Sequence, residues 1–366
     1  VEEEFAEFIG ARHCWLVANG TVALQLALEA LDIGAGDEVI LPGLTFQATA
    51  AAVLDVNAVP ILVDVDPETY CIDPKQVESA ITPRTAAIIP VHLYGCMADM
   101  DAILEIARKH NLVVIEDCAH THGSLWRGVG AGALGDVGAF SMQQSKVITS
   151  GEGGAVTTNR RDLYVRLYSL RNCGRSLPGA EDAVSLQSGN YRITEWQAAV
   201  LLAQLERLEE QTLRRDENAQ YLNSELSKIE GIKPMKRHPQ VTRQAYYAYV
   251  FRYDSEAFGG VHVSVFRRAL GAELNAGVGT VYEPLNDCSI YQPHTKRRYR
   301  INENHWEAID PKRFRLPVAT RAHRDEAVSL FHSVLLAERK AIDAIIEAVA
   351  KIRSNVDELR EAAERT

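Results

Sequence analysis

The first 160 residues carry short apolar runs separated by stretches with helical periodicity. Runs at 14–18, 37–42, 60–66, 85–92 and 112–117 have strand length and are enriched in Val, Ile and Leu. Between them lie helical patterns: 22–31, an alanine-rich stretch ending at Leu54, one opening at Asp73-Pro74, and 98–110. Proline suits the first turn of a helix, where its missing N–H costs nothing. An amphipathic helix, 1–8, precedes the first strand. Strands alternating with helices at this spacing predict βαβ units and a largely parallel sheet. Ligands then belong beyond the carboxyl ends of the strands, where Phe46, His92, Asp117 and Lys146 fall.

The pattern changes after residue 137. Gly138 to Ser141 is a short apolar run, Gly151-Glu152-Gly153-Gly154 is a turn, and 155–158 is apolar again, which predicts strand, turn, strand with Lys146 held in the turn. Residues 161–170 are helical, and 171–190 form a polar loop too long for a plain connector. A long helix follows from Ile193, continuing in pieces to Ile229, and Gly231 marks a boundary. Beyond it we expect a strand at 245–253, a helix at 263–270, a short strand at 280–282, a basic and aromatic loop at 287–317, and helices at 324–336 and 338–361. The expected division is a large domain, 1–231, and a smaller C-terminal α+β domain, 232–366.

Composition narrows the function classes. With 366 residues, 46% hydrophobic and 24% charged, the chain is an ordinary globular one, and its net charge is −10. Basic residues are scattered except near Lys296-Arg297-Arg298, which argues against a nucleic-acid face. No apolar run is long enough for a bilayer, and no signal peptide is evident. Six widely spaced cysteines without a CxxC pair read as free thiols of a cytoplasmic protein. The chain opens at Val1 inside a helix, from which we expect a preceding segment outside this numbering.

The candidate chemistry centres on Lys146. No other charge lies between Gly138 and Ser150. A lysine shielded from water loses its proton and becomes a nucleophilic amine, which a Schiff base requires. Asn19-Gly20-Thr21 opens an apolar helix. Its free N–H groups suit a phosphate, and a plain N-cap by Asn19 or Thr21 is the alternative. Asp117 closes a buried strand, so its carboxylate needs a partner: a protonated pyridine nitrogen, or the following turn. Two other patterns carry less. Asp117, His120 and His122 have no regular ligand spacing, so no metal is expected. Gly130-Ala131-Gly132-Ala133-Leu134-Gly135 matches GxGxxG, but it lies between a polar loop and a strand and lacks the following helix of a dinucleotide site.

Taken in order, Asn19-Gly20-Thr21, Pro42 to Phe46, Pro90 to Gly95, Glu116 to His120, Phe140 to Lys146, Gly151 to Gly154, and Asn190-Tyr191-Arg192 with Glu195 to Ala199 resemble the DegT/StrS family of sugar aminotransferases across essentially the whole chain. The resemblance implies a type I, aspartate-aminotransferase-like α/β fold with a mostly parallel seven-stranded sheet, and pyridoxal 5′-phosphate (PLP) as cofactor. It implies that Lys146 bonds the cofactor and moves the proton of the 1,3-shift. Asp117 would face the ring nitrogen, Phe46 would stack on the ring, and His120 would sit near its hydroxyl. Gly20, Thr21 and Ser141 would hold the phosphate, with Asn190 or Arg192 reaching it from a neighbouring subunit of a homodimer. Members lacking the lysine are dehydratases, and Lys146 argues against that role. Many nucleotide-sugar members carry His where Gln143 stands. The Gln143 to Lys146 run and Tyr291 to Arg298 are similar to the cyclitol branch, which aminates scyllo-inosose or 2-deoxy-scyllo-inosose with L-glutamine in aminoglycoside biosynthesis. Gln143, Gln144, Tyr282, Tyr291 and Lys296 are the expected substrate contacts; for Lys296 a solvated loop is the competing reading. The alternatives are a nucleotide-keto-sugar aminotransferase, a PLP-dependent dehydratase of the aminohydroxybenzoate-synthase kind, and a non-catalytic PLP-binding regulator.

Overall fold

In the computed structural model, which describes residues 1–364, the alternation resolves into a large sheet, a smaller one and a three-stranded ribbon. The first part of the chain runs α1 (Glu2–Ile9), β1 (His13–Val17), α2 (Gly20–Ala30), β2 (Glu38–Pro42), α3 (Ala48–Asp55), β3 (Val59–Val63), α4 (Pro74–Ala80), β4 (Thr85–Ile88), α5 (Met100–His110) and β5 (Val113–Asp117). Two short strands, β6 (Leu125–Trp126) and β7 (Val129–Gly130), precede β8 (Val137–Ser141), β9 (Gly154–Thr158), α6 (Arg161–Arg171) and α7 (Glu195–Leu226). The seven strands of the large sheet lie in the order β1-β9-β8-β5-β4-β2-β3. β9 is antiparallel to both neighbours, and the remaining pairs are parallel.

Alternate residues of each strand enter different cores, as the period of two requires. Ile40, Val114 and Phe140 pack on one face with α1 and α5. Val39, Leu41, Ile115 and Ala139 pack on the other with α2, α3 and α6. Glu116 and Asp117 therefore point to opposite faces, and Asp117 points toward α2 and α3.

The C-terminal part contains β10 (Ile232–Pro234), β11 (Val241–Arg243), β12 (Ala248–Tyr253), α8 (Val263–Leu274), β13 (Val278–Gly279), α9 (Glu303–Ala308), α10 (Pro317–Arg321), β14 (Ala327–Phe331), α11 (Arg339–Ser354) and α12 (Val356–Glu364). Strands β10-β12-β14-β13 form the smaller sheet over a third core with α8 and α11. Helix α7 runs unbroken for 32 residues behind a Thr194/Gln197 capping box. Its early residues Leu201 and Leu208 pack with the large sheet, and its later ones, Ala219 and Leu222, with the small one.

Several expected boundaries move. The expected helix at 324–336 is instead a π turn (Ala322–Glu326), strand β14 and a 3-10 turn (His332–Leu336). Val328 and Leu330 alternate into the third core while the backbone pairs with β12 and β13 on either side. The expected strand at 280–282 ends at Gly279, and the chain then turns so that the Tyr282 N–H donates to the Tyr94 hydroxyl at 2.6 Å. β4 stops at Ile88, ahead of Pro90, which has no N–H for a ladder. The loop after Leu285 folds back on the large sheet, placing Tyr291, Tyr299 and Ile309 in its second core.

Candidate active site

A cavity of about 670 Å³ opens where β5 and β8 end and α2 and α3 begin. It is lined by residues far apart in sequence, including Gly20, Thr21, Phe46, Asp117, His120, Ser141, Gln143, Lys146 and Tyr282. The wall nearest α2 depends on two missing side chains. A Cβ on Gly20 would lie 2.7 Å from Ser141 Cβ, and one on Gly154 would lie 2.5 Å from the Asn19 carbonyl oxygen. The helix start can therefore rest directly on the ends of β8 and β9. Asn19 is the N-cap, its Oδ1 accepting the Val22 N–H at 2.9 Å. The cap leaves the first two N–H groups, those of Gly20 and Thr21, at the cavity wall, where the helix dipole favours an anion.

Asp117 ends β5 at 6% exposure. Thr49 Oγ1 donates to its Oδ2 at 2.8 Å, the Ala119 N–H donates to Oδ1 at 3.2 Å, and Thr45 adjoins Thr49. Burial pushes the Asp117 carboxyl upward, against those bonds and the Lys146 charge. A cation placed before it would relieve that cost.

Lys146 sits in the turn between β8 and β9. Burial lowers its ammonium from 10.5 to about 8, with Asp117 pulling the other way. At pH 7.5 roughly a quarter of such amines are unprotonated, against about one in a thousand for a free lysine. The Lys146 Nζ lies 4.3 Å from the Tyr247 ring centroid, and the Tyr247 ring stacks on His120 at 3.9 Å. His120 accepts the Tyr94 N–H at Nδ1, so its proton resides on Nε2, 3.3 Å from the Tyr282 hydroxyl. Burial holds this imidazole neutral, well below the usual range. Phe46 remains 46% exposed at the rim, an aromatic face without a full partner.

Some expected site residues lie elsewhere. Tyr291 is 3% exposed in the second core and Lys296 Nζ lies 3.2 Å from the Tyr299 hydroxyl; neither lines the cavity. The reason for both is Asp55, which holds Tyr299 at 2.6 Å and Arg298, folding the basic loop onto α3. Gln144 is exposed outside the lining. Asn190 and Arg192 are also outside it: Asn190 bridges to Asn172, whose Oδ1 accepts from Arg192 at 2.7 Å. Thr49, Ser145 and Tyr247 were missed. Thr49 stands four residues after Thr45, one helical turn, and Tyr247 sits in an aromatic run that reads as plain strand.

His92, Glu116 and Cys118 bring possible ligand atoms within 4.8 Å of one another. The Glu116 oxygens are already engaged: they accept the N–H groups of Gly132, Leu134 and Gly135 and face His92 Nε2 at 3.0 Å. The glycine-rich turn at 130–135 thus wraps a buried carboxylate.

Known proteins resemble this chain along nearly its whole length. A Streptomyces griseus protein named L-glutamine:scyllo-inosose aminotransferase is 45% identical over 364 residues, 97% of this chain and 85% of its own. A Streptoalloteichus tenebrarius protein, provisionally named L-glutamine:3-amino-2,3-dideoxy-scyllo-inosose aminotransferase, is 47% identical over 98% of this chain and 87% of its own. The crystal structure of 3-amino-5-hydroxybenzoic acid synthase superposes with a TM-score of 0.81 at 35% identity, covering 96% of this chain and 88% of that one. The sequence profile of the DegT/DnrJ/EryC1/StrS aminotransferase family matches residues 1–335, and the chain belongs to that family.

Proposed function

We propose that this aminotransferase uses PLP to move the amino group of L-glutamine to a keto-cyclitol such as scyllo-inosose or 2-deoxy-scyllo-inosose, supplying amino-cyclitols for aminoglycoside biosynthesis. The observation that carries the reading is the convergence of a largely buried amine, Lys146, and a buried carboxylate, Asp117, on one cavity with an anion-ready helix start. These residues fit PLP by charge: Gly20, Thr21 and Ser141 for its phosphate, Asp117 for its ring nitrogen, Phe46 for its face. When bound, the cofactor supplies an electron sink for the carbon that gains or loses the amine.

The chain's own groups do the rest. Lys146, unprotonated in a substantial fraction near neutral pH, takes the proton from the donor carbon and returns one at the other end of the transfer. Asp117, oriented by Thr49 and Ala119, holds a proton on the facing heteroatom. Neutral His120 offers Nε2–H without adding charge beside Lys146.

The dimer reading is supported by the start of α7. Trp196 is 85% exposed and Val200, on the same helix face, 46% exposed, a few residues along the chain from Asn190 and Arg192. A second copy covering this face would carry Asn190 or Arg192 toward its neighbour's cavity. The six cysteines are free and five are buried, which supports a reducing cytoplasm. Among the described residues no helix is long and apolar enough to cross a membrane.

The test is direct. Purified enzyme is offered scyllo-inosose, 2-deoxy-scyllo-inosose and nucleotide keto-sugars, each with glutamine and with glutamate. Turnover of a keto-cyclitol with glutamine, lost in Lys146→Ala together with the bound cofactor's visible absorbance, is expected. Turnover confined to nucleotide keto-sugars rejects the acceptor assignment, and activity retained by Lys146→Ala rejects the mechanism.

A further inference from the structure

The turn that carries Lys146 also fixes the direction of a hydrogen-bond chain. Gln143 Oε1 accepts the Ser145 backbone N–H at 2.8 Å. A backbone N–H only donates, so the atom facing it is the amide oxygen and the Gln143 NH2 points the other way. The same Oε1 lies 2.7 Å from Ser145 Oγ, so the serine hydroxyl spends its proton there. Ser145 Oγ then accepts from the Tyr247 hydroxyl at 3.0 Å. Proton direction runs from Tyr247 to Ser145 to Gln143 without ambiguity. The Ser145 carbonyl faces His332 Nε2 at 3.1 Å, clamping the serine from its other side, and Tyr247 is held flat against His120. Gln143, Ser145 and Tyr247 all line the cavity, and among the described residues no hydrogen bond uses the Gln143 NH2.

Resting on the keto-cyclitol reading above, we propose that Gln143 is a fixed hydrogen-bond donor to a ring oxygen of the cyclitol, and that Ser145 and Tyr247 are positioning residues that lock its amide. A neutral donor of set direction suits a hydroxyl or carbonyl oxygen. A substrate carboxylate is better met by a cation. A site built to hydrogen-bond a hydroxyl discriminates by leaving its own polar groups unpaired when that hydroxyl is missing. An amide free to rotate would present oxygen and nitrogen alike and lose that discrimination. The lock thus converts a residue that both donates and accepts into one that only donates.

The probe is scyllo-inositol, the all-hydroxyl ring that cannot react, titrated calorimetrically into holoenzyme. Gln143→Leu is expected to weaken its binding about tenfold, and Ser145→Ala or Tyr247→Phe about three- to tenfold each. Tyr247→Phe keeps the ring against Lys146 and His120, and Ser145→Thr keeps the hydroxyl and should restore affinity to within about threefold of wild type. Because Ser145 acts through Gln143, the double variant Gln143→Leu/Ser145→Ala should bind within about twofold of Gln143→Leu alone. In turnover the KM for the keto-cyclitol should rise in the same order, with kcat changing less. Multiplying losses in the double variant, wild-type affinity in Ser145→Ala and Tyr247→Phe, or a larger loss in the glutamine half-reaction than in the cyclitol half-reaction would each overturn the proposal. A wild-type enzyme that binds scyllo-inositol but aminates no keto-cyclitol would sink the functional reading and leave the amide lock standing.

Discussion

Replacing Lys146 by methionine should stabilise the cofactor-free protein at neutral pH. The buried amine has its proton affinity lowered from 10.5 to about 8. At about 1.4 kcal/mol per pH unit, holding the charged form in the fold costs about 3 kcal/mol. Methionine removes that cost but also the contact between Nζ and the Tyr247 ring at 4.3 Å, which is worth about 1 kcal/mol. The expected net gain is about 2 kcal/mol. The sign with pH follows from proton counting. Below pH 8 the lysine is charged in both states, so the folded form bears the whole penalty. Between 8 and 10.5 the folded protein has released a proton that the unfolded chain still binds, so wild-type stability rises relative to the variant. Above 10.5 both are neutral and the penalty is gone. Melting curves of the two apoproteins, at one protein concentration, should therefore differ by about 2–4 °C at pH 7 in favour of Lys146→Met. The gap should close through pH 8–10.5. Alkaline titration of other groups is common to both proteins and cancels. A gap independent of pH, or a wild type that melts higher at pH 7, would refute the claim that burial sets the reactivity of this amine.

Thr49→Val deletes the O–H donated to buried Asp117; a loss of about 1–2 kcal/mol in apoprotein stability and faster release of cofactor on dilution are expected, with Thr49→Ser recovering both. Gly20→Ala puts a methyl 2.7 Å from Ser141 Cβ; the start of α2 must move, and cofactor affinity measured by fluorescence quenching should fall at least about tenfold. Trp196→Asp places a charge on the most exposed large apolar side chain of α7; sedimentation velocity should show dissociation to monomer, and an intact dimer would remove this face from the interface.

Much of the large sheet could be read from the sequence because each strand there is buried on both faces and each helix on one, so runs of Val and Ile alternate with amphipathic stretches. Asp117 stood out as a charge at the end of an apolar run, and Lys146 as the one charge between Gly138 and Ser150. The misreadings share a different cause. β14 is a central strand of a small sheet, yet the Arg-Asp-Glu segment before it has helical composition, and its pairing partners, β12 and β13, lie more than 40 residues upstream. Tyr291 and Lys296 sit in a loop whose course is set by Asp55, a residue of α3 that gives no local sign of holding it. Tyr247 was hidden because an aromatic in an alternating strand reads as core whether it faces a core or a cavity.

That contrast bears on where specificity resides in this enzyme. Of the two charged groups proposed for proton handling, Asp117 ends β5, paired with Ala139 on one side and bridged to Val91 on the other, and Lys146 lies in the turn that joins β8 to β9. The groups around them, His120, Tyr247 and Tyr282, hold one another by ring contacts and single hydrogen bonds, and two of the three come from beyond residue 231. A substitution among them changes the shape of the cavity without touching the sheet that fixes the chemistry. Acceptor range should therefore drift more readily than reaction type. The names of two relatives differ in the acceptor's substituents and share the transfer itself.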